Sequence, residues 1–274
     1  MVRNNFLRGW MFLAVFSLIL IAVSGYFAFS TFPAFSASAA LRPSVFIQPL
    51  IQKYFEPSAY VPFWTILAAA LYSLISVIVI FYFFEKTQAP EVLFLSFFAL
   101  SFSFEFARVL IPIVEMLSLP SIYSITAFRI LLFGRYFGLF SLFAASIYAA
   151  GFDVQKQQMV FFLMVLAALL IAVNIPVDIL IRDSTFIFWK GYSSMLLTIE
   201  SGIYSVTIIT FFISAYIRDS RTFIFIGMGV LMALAGKIIL LHSDTWITPL
   251  PGLLLLAFGT WFACSKLHKI YLWL

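Results

Sequence analysis

Charge is scarce in this chain. Only 10% of its 274 residues are Asp, Glu, Lys or Arg, and 64% are hydrophobic, with a mean hydropathy of +1.11. Soluble domains are about half apolar and about a quarter charged. A soluble catalytic domain needs on the order of 100 residues, and no polar stretch of the sequence approaches that length. The composition therefore predicts an integral membrane protein that acts within the membrane or through a partner.

Residue types that commonly bind metals, form disulfides or act as catalytic groups are also few. The single Cys264 excludes an internal disulfide and a cysteine-based metal site, and two histidines far apart in sequence, His242 and His268, argue against a metal centre. The motifs HExxH, GxSxG and CxxC and the glycine-rich phosphate loop do not occur. The sequence thus predicts no catalytic residues, no metal and no cofactor, and it favours a non-enzymatic protein.

Long apolar runs, each long enough to cross a ~30 Å hydrocarbon core as a helix, are the main positive feature. They predict an all-α, polytopic membrane helix bundle of about eight transmembrane helices. Because the connections are short, sequential helices should be neighbours in an antiparallel bundle. The runs cover approximately residues 10–30, 63–84, 92–119, 122–150, 159–177, 191–217, 222–241 and 250–267.

The chain divides into three parts. Residues 1–30 are predicted to form a transmembrane anchor helix; Ala37-Ser38-Ala39 also fits a signal-peptide cleavage site, but the apolar run is longer than a typical signal peptide requires. Residues 31–62 form an extracytoplasmic segment that contains either an interfacial helix or a plain loop. Residues 63–274 form a seven-helix membrane bundle.

The distribution of basic residues predicts the topology. With both termini cytoplasmic, eight basic residues fall inside and four outside, which agrees with the positive-inside rule. The net charge of +5 follows from the same rule, so nucleic-acid binding is not expected. We expect a multi-pass protein of the plasma (inner) membrane. The inside residues are Arg3, Arg8, Lys86, Lys156, Arg218, Arg221, Lys266 and Lys269; the outside residues are Arg42, Lys53, Arg182 and Lys190.

Six charged residues lie inside the predicted spans. A charge in hydrocarbon is costly unless it is paired or hydrated, so each is a candidate functional residue. At a rise of ~1.5 Å per residue, five of the six fall in the outer half of the membrane and Arg135 near its centre. The inner halves of the spans are almost purely apolar. The candidate ligand-binding residues are Glu105, Arg108, Arg129, Arg135, Glu200 and Lys237.

These charges predict a polar basin, open to the outside, for an anionic group. Four are positive and two negative, so one or two anionic groups would complete the set. Structural alternatives remain: Arg108 can pair with Glu105 one turn away, Arg135 can clamp helices through Glu105 or Glu200, and a phospholipid headgroup can neutralise the surplus. Residues at the outer rim could line the mouth: Glu115, Asp178, Arg182, Lys190, His242 and Asp244.

Small residues flank two of the charges. Gly134 and Gly138 form a GxxxG around Arg135, and Gly229, Ala233 and Gly236 make a similar face beside Lys237. Such faces allow close helix approach in membranes. They predict that both charged residues point into the bundle.

Three hypotheses of function follow. The first is a receptor-like module or a membrane subunit of a complex. Its predicted partners are membrane lipids and a separate protein. The second is a transporter of small solutes or lipids. The third is a structural scaffold whose charges are paired internally. Helix number and topology resemble those of bacterial multi-helix sensory modules, a likeness of architecture without a shared motif.

Overall fold

The computed structural model describes residues 11–23, 25, 60–83, 89–183 and 185–272. Its helices are packed side by side, and a two-stranded sheet joins the sixth to the seventh. The elements are α1 (Met11–Val23), α2 (Tyr60–Phe83), α3 (Pro90–Ser101), a 3₁₀ helix (Phe102–Phe106), α4 (Ala107–Met116), α5 (Ser121–Ala149), a short 3₁₀ helix (Val154–Lys156), α6 (Gln157–Asn174), β1 (Val177–Arg182), β2 (Phe188–Lys190), α7 (Ser193–Ile217), α8 (Thr222–Leu241) and α9 (Pro249–Leu272).

The described part of the chain contains seven helical segments long and apolar enough to cross a membrane, as a multi-pass membrane protein requires. The predicted helical bundle is therefore confirmed. The first predicted span is represented by α1, which is a shorter apolar helix. Residues 26–59, with the predicted interfacial helix, and residues 1–10 lie outside the described residues.

The helical bundle also contains one element that the sequence did not predict, the β1–β2 hairpin. The two strands are antiparallel, with Val177 opposite Lys190 and Asp178 opposite Trp189. The sequence predicts an outer loop for this stretch. In the structure its tip is folded into the bundle, and Thr185 to Phe188 are buried. Non-helical backbone of this kind is tolerated beside membrane helices when protein surrounds it.

Apolar contacts hold the hairpin tip in place. The side chain of Phe186 lies in a cluster with residues of three helices, and the Phe188 ring packs edge-on against Phe128 at 5.6 Å between centroids. Between membrane helices, where water exclusion gives little driving force, close van der Waals packing of such side chains stabilises the contact. The members of the Phe186 cluster are Ile21, Ile66, Ala70 and Val109.

The third predicted span is not one continuous α-helix. Between α3 and α4 the chain tightens into the 3₁₀ helix, which contains Glu105. In a 3₁₀ helix, with three residues per turn, side chains three residues apart lie on the same face. Glu105 and Arg108 therefore lie one turn apart on one face. Helix α2 supports the turn through a 2.8 Å hydrogen bond between the Ser73 and Ser103 hydroxyls.

The small-residue faces pack as predicted. A Cβ added at Gly134 would collide with Phe104 of the 3₁₀ helix, and one at Gly138 would collide with Ser101 at the end of α3, so α5 approaches this segment closely only because both are glycines. In the same way a Cβ at Gly236 would collide with the backbone of Leu256, which brings α8 and α9 together. These close crossings place the charged neighbours of the glycines inside the bundle.

Burial divides the bundle into a centre and a periphery. The span from Pro90 to Met116 is 78% buried and α5 is 67% buried. In contrast, the span that contains α6 is 17% buried and α7 is 11% buried. The polar residues described next lie where the central helices meet α7, α8 and the hairpin.

Candidate functional site

A buried carboxylate joins two arginines at the centre of the bundle. Glu105, which is 2% exposed, accepts hydrogen bonds from Arg135 Nε at 2.8 Å and from Arg135 Nη2 at 3.1 Å. Arg108 Nη1 donates to the same carboxylate at 3.2 Å. A two-point arginine–carboxylate pair is the strongest form of ion pair in proteins, because charge and geometry both favour it.

The remaining donors of Arg108 are used by main-chain carbonyls. Its Nε and Nη2 donate to the Thr185 carbonyl oxygen at 2.9 and 2.6 Å, and its Nη1 lies 3.4 Å from the Leu241 carbonyl oxygen. The side chain is completely buried. Arg108 therefore ties α4 to the hairpin tip and to the end of α8, and it has no surface left for a ligand.

A cavity of about 90 Å³ lies beside this cluster, on the far side of Arg135. Four elements enclose it: α5, β2, α7 and α8. A buried site needs on the order of 10–15 Å³ for each water that it holds, so the cavity has room for several waters or for a small anion. Its polar lining consists of Arg135, Tyr136, Lys190, Glu200, Tyr204, Lys237 and His242.

Tyrosines, rather than charged partners, hold two of the lining residues. Tyr136 donates its hydroxyl hydrogen to Glu200 at 2.9 Å, and Lys237 Nζ donates to the Tyr204 hydroxyl at 2.8 Å. The ammonium of Lys237 also lies 5.8 Å from the centre of the Phe98 ring, within cation–π range. Lys190 Nζ is 3.9 Å from Glu200, at the limit of an ion pair.

Several cationic donors facing the cavity are not used. Arg135 gives two of its three nitrogens to Glu105, and its Nη1 has no hydrogen-bond partner among the described residues. Lys237 has three N–H donors and gives one to Tyr204. The cavity wall thus carries three cations, Arg135, Lys190 and Lys237, against one carboxylate, Glu200.

Burial affects the two titratable residues of the cavity lining that lie outside the spanning helices. It lowers the pKa of Lys190, an effect that Glu200 opposes and Arg135 reinforces. It also lowers the pKa of His242 to about 4, with Arg135 acting in the same direction. His242 Nδ1 lies 3.0 Å from the Ile238 carbonyl oxygen. The imidazole is therefore neutral at neutral pH.

The structure brings together five of the six candidates from the sequence. Glu105, Arg108, Arg135, Glu200 and Lys237 lie in this cluster or on the cavity wall, whereas the Arg129 side chain is exposed on α5. Arg129 precedes Arg135 by six residues, which separates them by about 120° around a helix. That spacing, visible in the sequence, already indicates that the two arginines do not share a face.

Lys190, rather than Arg129, is the third cation of the cavity wall. The sequence predicts Lys190 and His242 only at the outer rim, and no pattern in it indicates Tyr136. Of the other rim candidates, Glu115 and Asp178 are exposed and Asp244 is buried away from the cavity lining. Tyr204 follows Glu200 by one helical turn, a spacing that predicts a shared face.

Comparison with models of protein families, with curated proteins and with solved structures found no match to this chain. Among the described residues, no three His, Cys, Asp or Glu side chains are grouped as metal ligands. The geometry of the cavity is therefore the basis for a functional conclusion.

Proposed function

We propose that this chain is a non-enzymatic membrane module that binds a small anionic group in the cavity between α5, α7 and α8. The observation that carries the proposal is the convergence of Arg135, Lys190 and Lys237 on one cavity, with donors that the described protein groups leave unused. Uncompensated charge in a membrane interior costs several kcal/mol, so a positive cavity of this kind favours an anion as its complement.

The chemistry of the donors fits a carboxylate or a phosphate group. With Nε and Nη2 of Arg135 bonded to Glu105, its Nη1 is left to donate to an anion oxygen, and the two ammonium groups act as point charges that accept any approach direction. The volume of about 90 Å³ matches a headgroup or a small solute rather than a large ligand. Free solutes and lipid headgroups share this anionic chemistry.

The clamp and the cavity play different parts in this proposal. Arg108 bonds to Glu105 and to the Thr185 carbonyl oxygen, so its role is structural. Arg135 belongs to both groups, because Glu105 holds its Nε and Nη2 while the residue also lines the cavity. Glu105 thus positions a binding residue without contacting the ligand.

We further propose that the cavity faces the outside of a plasma membrane, with eight spans and both termini in the cytoplasm. The excess of basic residues in the connections assigned to the inside supports this orientation. The exposed Trp246 and Arg221, at opposite ends of α8, provide the test. A cysteine at Trp246 should react with an impermeant maleimide on intact cells, and a cysteine at Arg221 only after permeabilisation. The reverse pattern would exclude the orientation.

The exposure of the peripheral helices α6 and α7 agrees with a receptor-like role or with a role as a subunit of a complex. The α6 span and α7 are largely exposed, so most of their apolar surface is available to lipid or to a partner helix. We propose that a separate protein, docked at the basic inner turns, passes on the signal. Membrane vesicles test this view against transport: accumulation of radiolabelled phosphate or acetate in vesicles that contain the chain would contradict it.

Binding is tested by thermal unfolding of the detergent-solubilised chain during titration with inorganic phosphate and with acetate. The expected result is a saturable rise in melting temperature that Lys190→Gln and Lys237→Gln remove. Arg129→Gln is the matched control, because it removes an exposed arginine from α5 and should leave the rise unchanged.

Two results would reject the anion site. One is the absence of saturable stabilisation in the unaltered chain by either anion or by vesicles of phosphatidylglycerol. The other is equal stabilisation in the Arg129 and Lys237 variants, since binding would then be independent of the cavity. If Lys237→Gln merely unfolds the chain, Lys190→Gln still tests the site, because its side chain lies at the edge of the cavity and is 20% exposed.

A further inference from the structure

The lining of the anion cavity carries a surplus of positive charge. Its charged residues are the cations Arg135, Lys190 and Lys237 and the carboxylate Glu200. Three positive charges against one negative charge leave two without a counterion in the wall. Such charge is costly where protein and lipid exclude water. A ligand with one negative charge would balance half of the surplus, so the lining favours a ligand with two.

The acidic residues behind the lining do not cancel this surplus. Glu105 binds Arg135, but it also pairs with the fully buried Arg108, which balances its charge. Asp183, on the hairpin, interacts electrostatically with Arg108 and does not line the cavity. Because Asp183 is partly exposed, solvent screens its charge.

An anion in the cavity also supports the charge of Lys190. Burial lowers the pKa of this lysine, and the nearby Glu200 carboxylate opposes that effect. A bound anion acts in the same direction as Glu200 and favours the charged ammonium. The third positive charge is thus available when the cavity is filled.

The unused hydrogen-bond donors come from all four elements that enclose the cavity. Arg135 Nη1 and the Tyr204 hydroxyl hydrogen have no acceptor among the described residues, and Lys237 gives one of its three hydrogens to Tyr204. Lys190 Nζ lies 3.9 Å from Glu200, beyond hydrogen-bond distance. A carboxylate offers two oxygens to these four groups, whereas a phosphoryl group offers three.

The cavity has a closed base and an open side. Tyr136 and Lys237 are 3% and 7% exposed, whereas the side chains of Lys190 and Glu200 are 20% and 33% exposed. The opening therefore lies between β2 and α7. A phosphate monoester inside the cavity has one substituent to pass through this opening. A phosphate diester has two substituents and carries one charge.

We propose that the cavity binds the dianionic phosphoryl group of a phosphate monoester, an inference that rests on the anion site proposed above. The phosphoryl oxygens accept hydrogen bonds from Arg135, Lys237 and Tyr204, and the substituent leaves past Lys190. A monoester carries about −1.5 to −2 charge at pH 7, which matches the surplus. Soluble monoesters and lipids of the phosphatidic acid type share this group.

Methyl phosphate and methyl sulfate test the charge of the ligand. Their shapes are nearly the same, but at pH 8 they carry about two and about one negative charge. The detergent-solubilised full chain is titrated with each probe, and the melting temperature reports binding. We expect methyl phosphate to bind roughly tenfold more tightly or better. At pH 5 methyl phosphate carries about one charge, so the two probes should then bind alike. Methyl sulfate controls for titration of the protein.

Glu200→Gln gives a second measure of ligand charge. Removing this carboxylate favours any anion, and the Coulomb energy is proportional to the charge of the ligand. If methyl sulfate gains roughly two- to threefold in affinity, methyl phosphate should gain about the square of that factor, roughly four- to tenfold. Arg129→Gln, on an exposed position of α5, is the matched control and should leave both affinities unchanged.

Two short-chain lipids distinguish the sources of the phosphoryl group. Dihexanoyl phosphatidic acid is a monoester, whereas dihexanoyl phosphatidylglycerol has the same acyl chains and is a diester. The first should bind more tightly than the second. Tighter binding of this phosphatidic acid than of methyl phosphate would support a lipid ligand, and weaker binding would support a soluble one. Both results agree with the proposal.

The failure of this inference is distinct from the failure of the anion site. Equal affinity for methyl phosphate and methyl sulfate at pH 8, or tighter binding of acetate than of methyl phosphate, would overturn the preference for a dianion and leave the anion site in place. Absence of saturable stabilisation by inorganic phosphate, acetate and both methyl probes would reject the anion site and this inference together.

Discussion

The guanidinium of Arg108 holds the main-chain oxygen of Thr185 with two of its nitrogens, at 2.9 and 2.6 Å. The two residues are 77 positions apart in sequence. One side chain thereby fixes the hairpin tip inside the helical bundle. Charge-assisted hydrogen bonds are strong in a medium that excludes water, so this contact couples the position of the hairpin to α4.

Replacing Arg108 by Gln should destabilise the protein by about 3–5 kcal/mol, because the change leaves a buried carboxylate with one partner fewer and a buried carbonyl without a donor. Amide hydrogen exchange should rise most at the hairpin tip, where the Phe186 N–H donates to the Asp183 carbonyl. Arg129→Gln on the exposed face of α5 should stay within about 0.5 kcal/mol of the original. Equal amide hydrogen exchange at the hairpin tip in the two variants would contradict the conclusion that Arg108 holds the tip in place.

Glu200 is the acidic residue of the cavity wall, so its charge opposes an incoming anion. Glu200→Gln should tighten phosphate binding by roughly two- to tenfold, and the gain should shrink at high ionic strength because the site is partly exposed. The Gln side-chain oxygen can still accept the hydrogen bond from Tyr136. Titration followed by melting temperature, at low and high salt, measures the effect. Weaker phosphate binding in this variant would show that Glu200 itself contributes to the site.

Two glycines in long helices should respond oppositely to alanine. Gly236→Ala should destabilise the bundle by about 1–3 kcal/mol, because the new Cβ collides with the backbone of Leu256 on α9. Gly202→Ala on α7 should stabilise it by up to about 1 kcal/mol, since nothing lies within 4 Å of that position and alanine favours the helix. Thermal unfolding in detergent compares them. Similar shifts would mean that α8 and α9 do not cross so closely.

His242 should make stability depend on pH in a defined window. Its pKa is lowered to about 4 in the folded chain against an ordinary value of 6.5, so the unfolded chain binds the proton more readily. The associated stability is complete above about pH 6.5 and is lost as the pH falls towards 4, by on the order of 1 kcal/mol per pH unit.

The comparison with His242→Gln isolates this contribution, because the carboxylates titrate in both proteins. Melting temperatures measured from pH 7 to pH 4 should fall more steeply for the original chain than for the variant. Parallel curves would mean that the imidazole is solvated and titrates normally.

Much of the fold could be predicted from local sequence. The seven apolar segments followed from run length, and the close helix crossings from Gly134, Gly138 and Gly236, because a missing side chain has a direct steric effect. The pairing of Glu105 with Arg108 followed from a spacing of three residues. The pairing of Glu105 with Arg135 was open in the sequence, since depth along a helix does not specify which neighbour a side chain faces.

The sequence by itself determined that the chain is apolar enough for a membrane and that its buried charges are few and mainly positive. The tertiary structure alone decided which charges meet. In the structure Arg129 faces outward, and the Thr185 carbonyl oxygen lies against Arg108. Lys190 reaches the cavity from a hairpin, and no helical periodicity in the sequence predicts its position there. The physical reason is that these contacts join residues far apart in the chain, so they depend on how helices rotate and pack against one another rather than on any local pattern.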